Sequence, residues 1–192
     1  MRWRSGFPFL VFFILTIEAS SAHAIIRVMP LGDSITQGSS SGVDEDESDL
    51  MISYRKDLYD LLTADRYELD FVGTLNDGSE AFGDINLADH EGHFGWTDDE
   101  IVKGNSVRPE EGALAQWLVS ERPQIVLLHI GTNDLESNPD DVSDILDVID
   151  SYETTSGEVV WVILALIINR DFEAKAIDRS TTTEFNENVK AM

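Results

Sequence analysis

Three short, almost wholly apolar runs set what this chain can fold into: Ile25 to Leu31, Ile125 to Ile130 and Val159 to Ile168. Each is too short to cross a bilayer. Continuous apolar runs of this length, without polar alternation, predict strands buried on both faces. Between them the spacing becomes helical. Tyr54, Leu58, Leu61 and Leu62 share one face of a helix starting near Ser53. Leu114, Trp117 and Leu118 stripe a second helix, which Pro109-Glu110-Glu111 opens and Pro123 stops. Val142, Ile145, Leu146, Ile149 and Tyr152 stripe a third, with Pro139 at its start. Tyr67, Leu69 and Phe71 alternate as a second strand up to Gly73. Asp98 to Val102 predicts a short helix, and Thr183 to Met192 begins another. The stretch from Asn76 to Thr97 has no period, and so long an aperiodic segment in a compact domain is often functional.

The order βαβ…αβαβα predicts an α/β fold: a mostly parallel sheet with helices on both faces. Ligands of such sheets bind outside the carboxyl ends of the strands. Three places qualify here: the turn at Gly32–Ser34, the segment after the second strand, and the turn at Gly131–Asp134.

The first residues read as a targeting segment. Arg2 and Arg4 precede an apolar run from Phe7 to Ile17, and Ala22-His23-Ala24 offers small residues to a signal peptidase. A Sec-type signal peptide over residues 1–24 is expected, with a mature chain from Ile25 that is secreted or periplasmic. An uncleaved anchor is the lesser alternative. The chain has no cysteine, which excludes thiolate catalysis and cysteine-ligated metal. A net charge of −24 disfavours nucleic acid and anionic membranes as partners, and fits a high-salt habitat. Asp44-Glu45-Asp46-Glu47 with Asp49 lacks the ligand spacing and turn glycine of a calcium loop, and reads as a solvated loop.

The candidate chemistry lies at the strand ends. In Gly32-Asp33-Ser34, glycine permits a tight exit from the strand. A serine placed there can attack a carbonyl, while its own N–H holds the resulting oxyanion. It could equally be a helix N-cap. In Gly131-Thr132-Asn133-Asp134, the Asn133 amide can donate to an oxyanion, or the segment is simply a turn. In Asp89-His90-Glu91-Gly92-His93-Phe94-Gly95-Trp96-Thr97, Gly95 could present a bare backbone N–H to a ligand. Trp96 could stack on a sugar or seal the core. His90, Glu91 and His93 look superficially like metal ligands, but neither a helical pattern nor a third zinc-spaced ligand accompanies them.

Together these segments resemble the SGNH (GDSL-type) hydrolase superfamily. Gly32-Asp33-Ser34 is similar to its first block, Gly95 falls at its second, and Gly131-Thr132-Asn133-Asp134 is similar to its third. Tyr54-Arg55-Lys56-Asp57-Leu58, Asp70-Phe71-Val72-Gly73 and His90 to Thr97 look like the acetylxylan-esterase branch. The resemblance implies a flavodoxin-like three-layer α/β/α sandwich over residues 25–192 and a carboxylic ester hydrolase needing no metal or cofactor. It implies Ser34 as nucleophile and Ser34, Gly95 and Asn133 as oxyanion donors, with Asp33, Trp96 and Asp134 near the substrate. The expected substrate is an O-acetyl group on a polysaccharide. A lysophospholipase or short-chain thioesterase is the nearest alternative, and a non-catalytic carbohydrate-binding protein is the alternative of another class. The family's fourth block, Asp-x-x-His, does not follow Asn133, and the last histidine is His129. The expectation is a C-terminally incomplete domain, inactive or nearly so by itself, with its base histidine beyond Met192. No stable membrane association after cleavage is expected, and the sequence leaves the oligomeric state open.

Overall fold

The computed structural model describes residues 25–39, 50–133, 137–168 and 176–192, the side chains of 176–179 excepted. The leader, the acidic loop from Asp44 to Asp49 and Asp134 lie outside them.

Among the described residues five strands form one parallel sheet. Strand β1 (Ile26–Gly32) is central. Along one edge it pairs with β4 (Ile125–His129), from Val28↔Ile125 to Gly32↔His129. The other edge is shared. β2 (Leu69–Phe71) takes its first half, at Ile26↔Leu69 to Val28↔Phe71, and β3 (Glu91–Gly92) takes its end, at Leu31↔Glu91 and Gly32↔Gly92. β5 (Trp161–Leu164) pairs with β4, giving the path β2-β1-β4-β5. The α/β class with a parallel sheet between helices is as the sequence implied.

The helices follow in chain order: α1 (Ser34–Gln37), α2 (Ser53–Ala64), α3 (Ser79–Phe82), α4 (Asp98–Lys103), α5 (Leu114–Glu121), α6 (Asp140–Ser156) and α7 (Ala176–Ala191). Strand alternation splits the core in two. Met29, Leu31, Val126 and Leu128 face one side and pack with Ile101 of α4, Trp117 of α5, Ile145 and Ile149 of α6, and Phe185 of α7. Val28, Leu69 and Phe71 face the other, with Leu58, Tyr59 and Leu62 of α2 and Phe82 of α3. Tyr59, Phe71 and Phe82 meet edge to face, their ring centroids 5.7 to 6.4 Å apart.

Four expectations are corrected. The inward face of α2 carries Leu58, Tyr59, Leu62 and the fully buried Arg55, whereas Leu61 is 67% exposed. The Asn76–Thr97 stretch holds α3, a 3₁₀ turn at Ile85–Leu87 and strand β3. The helix expected from Pro109 is a 3₁₀ turn (Pro109–Glu111) broken at Gly112 before α5. The Val159–Ile168 run does not lie buried. β5 is an edge strand among the described residues, with Trp161 73% and Ile163 57% exposed. Val162 and Leu164 pack on the α4–α6 side, so the exposed pair faces the α2 side, where the packed cluster reaches Ile125 and Leu127 of β4 and does not include β5.

Candidate active site

The site is built where β1 ends. Asp33 follows Gly32, is fully buried, and accepts the Ile35 N–H on Oδ1 at 2.8 Å as the N-cap of α1. Ser34 is therefore not the cap. It is the first residue of α1 and half-buried. Its carbonyl accepts Gly38 N–H, and no hydrogen bond among the described residues uses its Oγ or its own N–H. The expected contact of Asp33 with substrate is corrected: its carboxylate turns back into the protein to hold α1.

Two packing features fix the depth of α1. A Cβ on Gly92 would stand 2.4 Å from Gln37 N, so β3 and α1 touch backbone to backbone. Beneath α1, Arg55 is buried and donates to five carbonyls: Thr36 O (3.0 Å), Gln37 O (3.0 Å), Met51 O (2.5 Å), Asp77 O (2.9 Å) and Ala88 O (2.5 Å). Burial lowers its pKa to about 10, which leaves the guanidinium charged at neutral pH. The sequence motif contained Arg55, but a helical wheel places a charged residue outside, so its role was missed.

Because Gly32 pairs with both Gly92 and His129, the chains leaving β3 and β4 emerge at the same sheet end as Ser34. After β3, His93 N–H bonds Gly32 O, and residues 93–96 form a tight turn closed by Trp96 N–H on His93 O at 3.3 Å. Gly95 lies at φ +78, as the third residue of a type II turn requires. It is exposed, and a Cβ there would meet nothing within 4 Å. After β4, Gly131 sits under the Phe185 ring, 2.6 Å from where its Cβ would stand. Asn133 then reaches across and donates from Nδ2 to Trp96 O at 2.6 Å. The structure thus brings Asn133 and the Gly95 turn together. One amide proton of Asn133 is engaged and its second remains.

Trp96 is fully buried and stacks on His93 at 4.2 Å, so no ring face is left for a sugar. Of the two roles the sequence left open, sealing the core is the one found. The exposed aromatic beside Gly95 is Phe94, at 55%. The His90, Glu91 and His93 side chains do not converge on a shared ion. His90 Nδ1 accepts Gly92 N–H at 2.9 Å. His93 lies between Trp96 and Trp117, with Nε2 on Glu91 (2.9 Å) and Nδ1 on Glu111 (3.1 Å). Burial pushes the Glu91 pKa up, opposed by its hydrogen bond to His93. His129 is buried with Nδ1 unpartnered, and no hydrogen bond joins any described histidine to Ser34. Asp99, Asp141 and Asp144 bring carboxylate oxygens within 4.8 Å of one another, but Lys103 already contacts Asp99 at 2.5 Å.

No protein-family model matches the chain, and no curated protein matches it. Solved structures do. The chain is similar to the Clostridium thermocellum family 3 carbohydrate esterase at 30% identity and TM-score 0.66, over 88% of this chain and 72% of that one. The chain belongs to carbohydrate esterase family 3. As a family 3 member it is a carboxylic ester hydrolase, in keeping with the SGNH resemblance. Two further structures share the fold. A family 3 carbohydrate esterase from Talaromyces cellulolyticus matches at 23% identity and TM-score 0.61, over 88% of this chain and 74% of that one. An acetyl esterase mutant solved with an acetate ion matches at 22% and 0.61, with the same coverage.

Proposed function

We propose that this family 3 esterase is exported and removes O-acetyl groups from a polysaccharide. In this reading Ser34 Oγ attacks the acetyl carbonyl. The Ser34 and Gly95 N–H groups and the Asn133 amide hold the tetrahedral oxyanion. A base takes the serine proton and returns it to the departing sugar hydroxyl, and water then releases acetate. The observation that carries the proposal is the Asn133 Nδ2 to Trp96 O bond, which seats one oxyanion donor against the turn bearing another. The carbohydrate esterase from C. thermocellum supports the sugar, and the acetate-bound acetyl esterase supports the acyl group. Exposed Phe94 beside Gly95 offers a sugar platform in place of Trp96.

The sequence after Asn133 contains no histidine, so the base of the resemblance, an Asp-x-x-His pair, has no counterpart in these residues. Acetate release from acetylated xylan by the secreted native protein tests the function, with lysophospholipid as the competing substrate. Xylan deacetylation that Ser34→Ala abolishes is the expected result. Preference for lysophospholipid, or sugar binding without hydrolysis, would overturn it. The 192-residue chain assayed alone is expected to show little or no turnover.

A further inference from the structure

We infer that Arg108, outside every motif of the site, is a positioning residue for the oxyanion donor at Gly95; this rests on the proposed role of Gly95. A trans peptide unit points its carbonyl and its N–H in opposite directions. The Gly95 N–H belongs to the same peptide as the Phe94 carbonyl, and Arg108 Nη2 donates to Phe94 O at 2.9 Å. Arg108 therefore fixes which way the Gly95 N–H faces: directly away from the guanidinium.

The same contact acts electronically. A cation on the carbonyl oxygen draws density through the amide resonance and makes the N–H a stronger donor. That N–H has no acceptor among the described residues. The guanidinium is itself held. Its Nη1 lies 3.2 Å from Glu111 Oε1, its centre lies 5.9 Å from the Trp96 ring, and the other oxygen of Glu111 contacts His93 Nδ1. From His93, the chain of contacts returns through Glu91 to Thr74, whose N–H bonds Glu91 Oε1 at 2.6 Å. One end of the peptide is thus tied to the sheet interior and the other is presented outward. Glu111 also keeps the site from carrying a bare positive charge that would bind anions indiscriminately.

The test uses the full chain, with acetate as probe. Acetate titrated into isotope-labelled protein is expected to move the Gly95 amide proton downfield. In Arg108→Gln the unliganded Gly95 amide shifts upfield and acetate binding weakens about tenfold, a fraction of the effect of losing a whole oxyanion donor. With the catalytically competent secreted protein, the same variant lowers kcat about tenfold on p-nitrophenyl acetate and leaves KM nearly unchanged. Guanidinium ion partly rescues Arg108→Ala where equal sodium chloride does not, a response that mere loss of folding would not give. The Arg108 side chain is 38% exposed, so both variants are expected to fold with melting curves unchanged from the parent. If Gly95 responds to acetate equally in parent and variant, Arg108 has no positioning role and the site reading stands. If Gly95 in the parent does not respond, the Gly95 reading itself fails and the inference falls with it.

Discussion

A single methyl group distinguishes two glycines three residues apart. At Gly92 an added Cβ would meet Gln37 N at 2.4 Å and Thr36 C at 2.8 Å, both backbone atoms that cannot swing aside. Gly92→Ala must push α1 away from the sheet, and with it Ser34. It is expected to cost about 2–3 kcal/mol in urea unfolding and, in the catalytically competent native protein, to lower esterase activity steeply. At Gly95 the space is open and only the positive φ resists substitution, which costs of order 1–3 kcal/mol. Gly95→Ala should fold and pack as the parent does. A loss below about 1 kcal/mol in Gly92→Ala would show that β3 does not brace α1. That Ser34, Gly95 and Asn133 lie in turns at strand ends was legible from the sequence, because such turns advertise themselves through glycine and asparagine. Asp33 turns inward to cap α1, and Trp96 takes the core role of the two that its sequence left open. Nothing in a sequence says whether a polar or aromatic group beside a nucleophile turns outward or folds back.

At the scale of elements, legibility depended on how much of each element's fate is local. β1, β4 and α6 follow from their own patterns. β3 does not, since two residues carry no period, and it exists because the end of β1 leaves an edge that β2 does not reach. α2 was recognised as a helix, but its inward face was misphased because its most buried side chain is charged. Arg55 joins α1, the residues before α2, the Asp77 turn and Ala88 through five carbonyls. Its removal strands acceptors in four segments at once. Arg55→Ala is expected to destabilise by about 3 kcal/mol or more by urea denaturation. Arg55→Lys should recover part of that, since an ammonium offers three donors where the guanidinium uses five bonds. A loss below about 1 kcal/mol in Arg55→Ala would mean that water takes over the acceptors and α1 is held by Gly92 packing alone.

For the molecule as a whole, two neighbouring groups pull the pH dependence of stability in opposite directions. Burial holds His90 near a pKa of about 4 against its ordinary 6.5. The unfolded chain therefore takes up its proton first, and stability falls as pH drops from 6.5 towards 4. Burial, with Asp70, Glu121 and Glu91 nearby, raises Asp89 from 3.8 to about 7. Here the folded chain holds the extra proton, so stability falls as pH rises from 4 to 7. Asp89→Asn is expected to be more stable than the parent at pH 8, with the gain vanishing near pH 4. A gain of equal size at both pH values, read from urea midpoints, would separate it from ionisation.

Among the described residues nothing covers Trp161 and Ile163 of β5, which bears on how copies of the protein meet. Trp161 and Ile163 present a sticky seam on a chain whose net charge is −24. Attraction at the seam acts only at contact, whereas repulsion reaches about 30 Å at 0.01 M salt and only about 3 Å at 1 M. In dilute buffer two copies are turned back before their seams touch. In brine that barrier shrinks to less than the width of a strand, and colloidal stability passes from the charge to whatever covers β5.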